Sequence, residues 1–574
     1  MSTRLTDRLQ AIVPMAKRTL RVIQTVPVPK GTDSFERQRE KLIQELNESI
    51  PVEYHLPQDI IDNAPTDVTS IPSSCGILCE EEIRITEDHD ATSLAEAIAR
   101  KRYTAVAVAK AFAKRAAIAH QLTCCLTQYF MEEALERARY LDDYLEKEGR
   151  PIGPLHGVPV SVKEHMMLAG HYSSYGYLST RTYNDRDSLL IKDLRAAGAV
   201  FYCKTNQPQG IMHLETDSWY GRTNNPYNIN LSSGGSTGGE SALIALKGSV
   251  LGPGTDIGGS IRAPSAFCGI FGFKPTTYTL SMQDFIPLGF PAELNVLCST
   301  GPMARSLRDM QLFMTVLKSA NQHMHDPRIV PIPWNPTPEL PKPIRIGVMW
   351  NDTMITPQPP VLKALEWVTT KLQGNPYFDL KPFTPYNVPS AIQNIGEAYW
   401  PDMGLPTKES LAETGEPMHP LTLSCLAPVT PSTSEKPATR ITQMRLLRDA
   451  YRSQFLASYN AQEIDYVLSP CYVGPASKHD TAEFWNYTAL WNYLDYPAVV
   501  FPTPYVVTGN ETYETGKRQY VELSARCRKV KQDWEADPLG WKGAPVNLQL
   551  VGRRWRDSEV LGVLGEMGRV LGFD

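Results

Sequence analysis

The stretch 232–262, which reads SSGGSTGGESALIALKGSVLGPGTDIGGSIR, constrains the fold more than any other. It contains two serines flanked by glycine, Ser236 in Gly-Gly-Ser-Thr-Gly-Gly and Ser260 in Thr-Asp-Ile-Gly-Gly-Ser-Ile-Arg. Glycine at this density serves a backbone that takes positive φ or that a ligand approaches closely, and serines between glycines are poorly suited to core packing. We therefore predict that this stretch forms a wall of an active site.

A lysine upstream supports this interpretation. Lys163 ends the run Gly-Val-Pro-Val-Ser-Val-Lys (157–163), whose apolar residues have the composition of a buried strand. A solvated lysine is not expected at such a position. The alternative, a pair of serine turns exposed to solvent, fits either serine taken alone. The combination of Lys163 with two glycine-flanked serines favours a catalytic site.

Helix-like and strand-like runs alternate around these motifs. Predicted helices span 34–48, 92–120 (two helices, with Thr104 as a cap), 131–145, 188–197, 361–372, 441–458 and 558–571. Predicted strands span 155–162, 199–203, 344–350 and 467–470. This alternation indicates an α/β fold with a largely parallel sheet covered on both faces. The chemistry would then lie on loops at one end of the sheet.

Bulk composition excludes several classes of function. The 574 residues are 42% apolar, ample for a large core, and their formal charge of −5 provides no basic surface for nucleic acid. The ten cysteines form no Cys-x2-Cys pair, so they are predicted to be reduced, buried small hydrophobes and not metal ligands. The sequence has no run of 18 apolar residues and no signal-peptide core, so we expect a cytoplasmic protein without a transmembrane segment.

Three motifs carry a resemblance to a known family. GVPVSVKE (157–164), GGSTGGE (234–240) and GTDIGGSIR (254–262) resemble, in this order, the motifs of the amidase signature family of serine hydrolases. The similarity runs from about residue 73 to the C-terminus, includes GAPVNLQLVGR (543–553), and looks most like the fungal acetamidase-type branch. It implies an α/β amidase-signature fold with a large mixed twisted β-sheet covered by helices on both faces. It also implies an amidase of linear carboxylic amides that uses no cofactor and no metal.

Composition and the family resemblance together indicate a domain organisation. Residues 1–72 are charged and interrupted by proline, and are predicted to be an N-terminal helical extension wrapped on the main body. Residues 73–574 would form one catalytic domain, with an inserted helical region at about 350–460 that shapes the pocket. The expected partner is a small-molecule amide substrate, and a homodimer remains open.

Amide cleavage needs an activated nucleophile, a proton for a poor leaving amine, and donors where the carbonyl oxygen gathers charge. Ser260 offers the nucleophile. The small residues before it allow several N–H groups to converge on one oxygen, each lowering the barrier by ~3 kcal/mol. The predicted oxyanion hole comprises Ile257, Gly258, Gly259 and Ser260.

A base for Ser260 is harder to identify. His165, His171 and His213 have no carboxylate partner at a telling spacing, so each is interpreted as a structural histidine. Lys163 can serve instead if it is buried and neutral, which requires its pKa to fall by about 3 from ~10.4, within the range that burial supplies. Ser236 then fits as a relay, because a hydroxyl donates and accepts together.

The resemblance assigns the same roles to matching positions. It implies a Ser-cis-Ser-Lys triad, with Ser260 as the nucleophile that forms the acyl ester, Ser236 as the proton relay and Lys163 as the general base. The peptide between Gly235 and Ser236 is expected to be cis. The remaining predicted site residues are Ile211 and Ser236 for substrate binding, and Gly235, Thr237, Asp256 and Arg262 as supports of the loops.

The sequence departs from the commonest family text at two places. Glu164 and His165 follow Lys163 where Asp, often with Asn, is frequent, and Thr237 stands where a third serine often sits. None of these is one of the three proton carriers, although His165 could alter the pH profile. Substrate choice is expected to depend on the segment 210–214 and on the inserted region.

Other interpretations remain open. Gly234 to Gly238 also matches the Gly-x-Ser-x-Gly elbow of α/β-hydrolases, which would make Ser236 the nucleophile, but the elbow needs an apolar strand before it and NNPYNINLS (224–232) is polar. An esterase or an acyltransferase would use the same acyl-enzyme. A non-autonomous subunit that passes ammonia to a partner, as in tRNA-dependent amidation, is a further class.

Overall fold

The computed structural model describes residues 20–285, 295–427, 436–514 and 520–573. Parts of two predicted regions, 1–19 of the N-terminal extension and 428–435 of the inserted region, lie outside the described residues. Within these ranges no helix combines the length and the apolar content that a membrane crossing requires.

Eleven strands of the described chain form one large sheet. Their spatial order from one edge to the other is Leu126–Tyr129, Val200–Thr205, Pro159–Lys163, Leu251–Asp256, Ser299–Ala304, Phe271–Lys274, Ala498–Val506, Pro545–Val551, Tyr466–Pro470, Ile344–Val348 and Phe378–Pro382. Three pairs of short strands stand apart: Tyr172–Ser173 with Thr182–Tyr183, Asp217–Ser218 with Gly221–Arg222, and Asn224–Asn225 with Asn228–Ser232.

The sheet is mixed, as the family resemblance implied, and the prediction of a largely parallel sheet is wrong. Parallel pairing joins Pro159–Lys163 to its two neighbours and Ile344–Val348 to its two neighbours. The central pairs, such as Leu251–Asp256 with Ser299–Ala304, are antiparallel. Alternating strands and helices do not fix the strand direction. The connections here are long enough for the next strand to pair either parallel or antiparallel to the previous one.

Helices enclose the sheet. They span Asp33–Ser49, Gln58–Asp62, Ile71–Ser74, Glu80–Glu87, Ala91–Ala99, Ala105–Thr123, Met131–Glu148, Leu189–Ala196, Gly238–Ala245, Arg262–Phe267, Leu307–Ser319, Pro359–Leu372, Val388–Ala398, Leu405–Thr414, Pro420–Leu426, Ala438–Ala461, Asn486–Leu494, Ala525–Ala536 and Asp557–Leu571. Every residue of Pro159–Lys163 and of Pro545–Val551 is buried. Because successive side chains of a strand point to opposite faces, this burial means that both faces of the sheet are covered.

The helices and strands that the sequence predicted lie within a few residues of those observed, whereas other elements, among them Ser299–Ala304 and Asn486–Leu494, were not predicted. Thr104 caps the helix Ala105–Thr123 by accepting a hydrogen bond from the N–H of Ala107, as predicted. The predicted strand 155–162 begins later, at Pro159, because Gly157 takes a φ of 76° and turns the chain before it. In consequence Lys163 lies inside the strand instead of after it.

The inserted and N-terminal regions contact the main body. Residues 350–460 hold the helices from Pro359–Leu372 to Ala438–Ala461, and they also supply an edge strand of the sheet, Phe378–Pro382. The described part of the N-terminal region is tied down by backbone hydrogen bonds, among them Ile23 N to Gln121 O at 2.8 Å and Val68 N to Pro226 O at 2.9 Å. The division into one domain with an insertion remains a prediction.

Candidate active site

Two parallel strands bring the predicted site residues to one edge of the sheet. Pro159–Lys163 and Leu251–Asp256 run parallel, with Leu251 opposite Val160. Their carboxyl ends therefore meet at the same edge. Lys163 is the last residue of the first strand, and the second leads directly into the loop that carries Ser260.

Lys163 is fully buried among hydroxyl groups. Its Nζ lies 2.7 Å from Ser236 Oγ, 2.9 Å from Thr237 Oγ1 and 3.1 Å from Thr255 Oγ1. Burial lowers the pKa of Lys163 to about 7, against smaller opposing effects of Cys298, Asp256 and Glu240. A lysine with this pKa is partly neutral at neutral pH, when its nitrogen can accept a proton from a neighbouring hydroxyl.

The loop of Ser236 is held against the loop of Ser260. The peptide between Gly235 and Ser236 is cis, as expected. Gly235 leaves no room for a side chain, since an added Cβ would lie 2.4 Å from the carbonyl oxygen of Glu215. The N–H of Thr237 donates to the carbonyl oxygen of Ser260 at 3.1 Å. This bond joins the two glycine-rich motifs directly, and Ser260 is buried beside it with 5% of its surface exposed.

Asp256 and Arg262 form a fully buried ion pair behind this loop. Arg262 Nη2 lies 2.9 Å from Asp256 Oδ1, and the same carboxylate accepts from the N–H groups of Gly259 and Ile261 at 2.9 and 3.1 Å. Burial alone would raise the pKa of Asp256, but the Arg262 guanidinium outweighs it and holds that pKa well below its usual range. The pair thus braces the turn between strand and helix.

The bond from Gly259 affects the predicted oxyanion hole. Because its N–H donates to Asp256, it is already paired within the protein. Gly259 could therefore serve a substrate oxygen only by sharing this N–H with Asp256. The oxyanion hole of Ile257, Gly258, Gly259 and Ser260 stays a prediction.

The prediction that the three histidines lack carboxylate partners is wrong for two of them. His213 and His171 do have carboxylate partners: His213 Nδ1 lies 3.2 Å from Asp217 Oδ1, and His171 Nε2 lies 2.9 Å from Glu133 Oε2. The first pair has a spacing of four residues that the sequence displays, and the second joins residues far apart in the chain. His165 instead contacts an amide, with Nδ1 2.7 Å from Gln207 Oε1.

Ile211 lies in a strained turn. It has a φ of 60° and is buried with Tyr177 and Leu411. Its side chain is therefore part of a small buried apolar cluster. It lines neither of the two cavities described next. Its predicted contact with substrate remains a prediction.

Two cavities lie beside the loop that precedes Ser260 or beside a residue that contacts it. One, of about 780 Å³, is lined mainly by apolar and aromatic side chains, among them Met354, Ile392, Tyr399, Trp400, Leu421 and Trp485. The other, of about 670 Å³, includes His165, Tyr175, Thr255, Ile257, Phe285 and Cys298. The smaller cavity is lined by Ile257 of this loop and by Thr255, which contacts Lys163. The larger cavity is lined by Tyr399, whose hydroxyl donates to the carbonyl oxygen of Ile257, and by no residue of the loop itself.

Several residues at the site were not identified from the sequence. Thr255 and Glu240 stand inside the quoted motifs, so their positions were visible but their contacts were not. Tyr399 and Thr488 come from distant elements, and their hydroxyls donate to the carbonyl oxygens of Ile257 and Gly258 at 2.7 and 2.6 Å. No local pattern could have revealed contacts across 142 and 230 residues.

The cysteines and the metal-binding side chains complete the chemical inventory. All ten cysteines are free thiols, as predicted, but Cys79 is exposed, and Cys75, Cys298 and Cys425 are only partly buried. Over the described ranges, no group of three or more His, Cys, Asp or Glu side chains is arranged to hold a metal ion.

Comparison with known proteins gives consistent results. The family model described as Amidase matches residues 107–561. A protein of Schizosaccharomyces pombe is 41% identical over 518 residues, which cover 90% of this chain and 95% of that one. An acetamidase of Emericella nidulans is 33% identical over 524 residues, covering 89% of this chain and 94% of its own.

Solved structures agree with the sequence matches. The structure of a fatty acid amide hydrolase superposes with a TM-score of 0.87 at 32% identity, and covers 94% of this chain and 96% of its own. The resemblance to the fungal acetamidase-type branch and the α/β fold are thereby confirmed.

Proposed function

The chain belongs to the amidase family of amide-hydrolysing enzymes, and from this membership we propose that it cleaves a carboxylic amide through an acyl ester on Ser260. The proposed proton carriers are Ser236 and Lys163. The observation that carries the proposal is the 2.7 Å contact between Lys163 Nζ and Ser236 Oγ at a fully buried position. A buried lysine held only by structural needs would be expected to face a carboxylate.

In the proposed reaction, Ser260 Oγ attacks the carbonyl carbon of the amide and loses its proton to Ser236. Ser236 passes its own proton to the neutral Lys163, so one hydroxyl accepts and donates in a single step. The tetrahedral intermediate collapses when Ser236 gives a proton to the leaving nitrogen and takes back the proton held by Lys163, which becomes neutral again. Free ammonia or amine departs, and the acyl group remains on Ser260.

Water completes the cycle through the same proton carriers, with water as the nucleophile and Ser260 as the leaving group. It attacks the acyl ester while its proton passes through Ser236 to Lys163, and the proton then returns to Ser260 as the acid leaves. The proposal requires a lysine that is neutral in the resting enzyme, and the pKa of about 7 that burial gives Lys163 supports this.

We further propose that the acyl part of the substrate occupies the cavity of about 780 Å³. Its walls include Ile392, Tyr399 and Trp485, which suit an apolar group larger than acetyl. This chain is similar both to an acetamidase and to a fatty acid amide hydrolase, so acyl groups from acetyl to long-chain are the range to test. Neutral amides of increasing chain length are therefore the substrates to test.

The decisive experiment traps the enzyme with a fluorophosphonate and maps the adduct by mass spectrometry. We expect a single adduct on Ser260, and no adduct and no turnover in Ser260→Ala. Lys163→Met should fold but turn over at least ~10³-fold more slowly. An adduct on Ser236 would support the elbow interpretation instead. Turnover in a protein that cannot be labelled, or in Ser260→Ala, would refute the assignment.

The same preparation distinguishes the remaining classes. Turnover of a simple amide by the purified chain alone would exclude a subunit that depends on a partner. Addition of a primary amine or an alcohol during turnover tests for acyl transfer, because a transferase converts the acyl-enzyme into a new amide or ester.

A further inference from the structure

Two hydroxyl groups hold the loop before Ser260 by its carbonyl oxygens. Tyr399 Oη donates to the carbonyl oxygen of Ile257 at 2.7 Å. Thr488 Oγ1 donates to the carbonyl oxygen of Gly258 at 2.6 Å. These donors come from different parts of the chain, since Tyr399 follows the helix Val388–Ala398 and Thr488 lies on the helix Asn486–Leu494.

Holding a carbonyl oxygen also fixes the N–H of the same peptide unit. A trans peptide is planar, and its C=O and N–H point in opposite directions. In the described chain, cis peptides occur only at Gly235–Ser236 and Lys342–Pro343, so both peptide units of this loop are trans. Tyr399 therefore sets the direction of the Gly258 N–H, and Thr488 sets that of the Gly259 N–H.

The N–H groups of Gly258 and Gly259 differ in their hydrogen bonding. That of Gly259 donates to Asp256 Oδ1 at 2.9 Å, so the peptide unit held by Thr488 is bonded at both ends. The unit held by Tyr399 presents the Gly258 N–H away from the Tyr399 hydroxyl. The direction of that donor thus depends on a single hydroxyl of the inserted region.

We propose that Tyr399 is a positioning residue of the oxyanion hole: its hydroxyl holds the Ile257 carbonyl so that the Gly258 N–H points at the oxygen of the reacting carbonyl. This inference rests on the proposed acyl-Ser260 mechanism. Tyr399 does not touch the reacting atoms, and it acts through the peptide unit between Ile257 and Gly258.

The surroundings of Tyr399 suit this role. Its ring lies 5.5 Å from that of Trp485, centroid to centroid, and only 7% of the residue is exposed. Burial raises the pKa of Tyr399 well above its usual value, so the hydroxyl keeps its proton and remains a donor. Gly258 packs directly against it, since an added Cβ would lie 2.8 Å from Tyr399 Oη. The hydroxyl therefore has little freedom to release the carbonyl.

Tyr399→Phe tests the inference because it removes the hydroxyl and keeps the ring in the cavity wall. Tyr459→Phe is the matched control: Tyr459 is also buried, and its hydroxyl donates to the backbone carbonyl of Asp465 at 2.9 Å, away from the site. The readouts are kcat and KM for a neutral aliphatic amide, with active enzyme counted by complete fluorophosphonate labelling of Ser260. Counting labelled sites separates misfolded protein from slow enzyme.

We expect Tyr399→Phe to lower kcat by about 10- to 100-fold, somewhat less than loss of a whole oxyanion donor, with KM within about threefold of the wild type. Tyr459→Phe should match the wild type. Thr488→Val acts on the neighbouring peptide unit of the same loop, so its effect combined with Tyr399→Phe should be less than the product of the two.

Two results would overturn the inference. One is a kcat of Tyr399→Phe equal to that of the wild type, and the other is a loss confined to KM, which would make Tyr399 a wall of the cavity only. Failure of the wild type to be labelled at Ser260 would instead refute the proposed mechanism. A labelled wild type with an unimpaired Tyr399→Phe would refute the positioning role alone.

Discussion

The side-chain nitrogen of Lys163 lies 2.7 Å from Oγ of Ser236, and neither residue has any surface exposed to solvent. The two residues come from different elements, one from the end of a strand and the other from the loop before the helix Gly238–Ala245. The contact is therefore a product of the fold. It gives a lysine whose charge is costly and a hydroxyl placed to remove or supply its proton.

Catalytic activity should depend on pH through Lys163. Since burial lowers its pKa to about 7, the neutral form that accepts a proton is lost as the pH falls below that value. We expect kcat/KM for a neutral amide to rise with pH through about 7 and then to level off. A neutral substrate keeps its own ionisation out of the profile. A rate that is flat across neutral pH would contradict a lysine base.

Glu240→Gln should move this profile in a predictable direction. Glu240 is buried, accepts hydrogen bonds from Ser161 and Thr205, and has a negative charge that raises the pKa of Lys163. Burial raises the pKa of Glu240 to about 7, so the carboxyl is partly ionised where the lysine titrates. Without that charge the pKa of Lys163 falls, and the acidic limb should shift to lower pH by less than about one unit. A shift to higher pH would contradict this reasoning.

Arg262→Met should destabilise the protein strongly. It leaves the Asp256 carboxylate buried without its cation, which typically costs ~3–5 kcal/mol. Thermal unfolding should show a large drop in Tm, whereas Arg569→Met, which breaks a largely exposed pair with Glu566, should change it little. Adding Asp256→Asn to Arg262→Met should recover part of the loss. An equal or lower Tm in the double variant would show that the uncompensated charge is not the cause.

His213→Gln should retain activity within a few-fold of the wild type. His213 Nδ1 lies 3.2 Å from Asp217 Oδ1 and its Nε2 lies 3.3 Å from Thr422 Oγ1, so both ring nitrogens face groups other than a serine. If Ser236 were a nucleophile served by this histidine, turnover would fall by ~10³-fold or more. Steady-state rates, corrected for folded protein by thermal melts, distinguish the two outcomes.

Ile392→Trp should discriminate between short and long acyl groups. Ile392 is partly buried on the helix Val388–Ala398 and lines the cavity of about 780 Å³. An indole there occupies space that a long acyl chain would need, so KM for a long-chain amide should rise at least ~10-fold while that for acetamide stays constant. Met282→Trp, which narrows the other cavity, is the matched control. The reverse pattern would place the acyl group in the second cavity.

Local patterns predicted the elements well because they depend on neighbours in sequence. The cap at Thr104, the helix Met131–Glu148 and most of the strand Pro159–Lys163 follow from side-chain periodicity and capping chemistry. The direction of the central strands could not be predicted in this way, since strand pairing is decided by packing between distant segments. The family resemblance, and not periodicity, indicated the mixed sheet.

In the candidate site, too, local motifs predicted some residues, whereas contacts between distant segments could not be predicted. Glycine-rich motifs and an apolar strand identified Lys163, Ser236 and Ser260 because those residue types occur there for chemical reasons that a single stretch displays. The partners that set their properties were not visible: Thr255 on the lysine, the bond from Gly259 to Asp256, and the hydroxyls of Tyr399 and Thr488.

By itself, then, the sequence determined the kind of protein and the family, and it supplied Lys163, Ser236 and Ser260 as the proposed carriers of the reaction. The tertiary structure alone decided how deeply Lys163 is buried, which carbonyl oxygens the distant hydroxyls hold, and where the cavities open. The physical reason is that the sequence specifies the type of each side chain directly. Burial and the direction of a hydrogen bond, by contrast, arise only when segments hundreds of residues apart pack together.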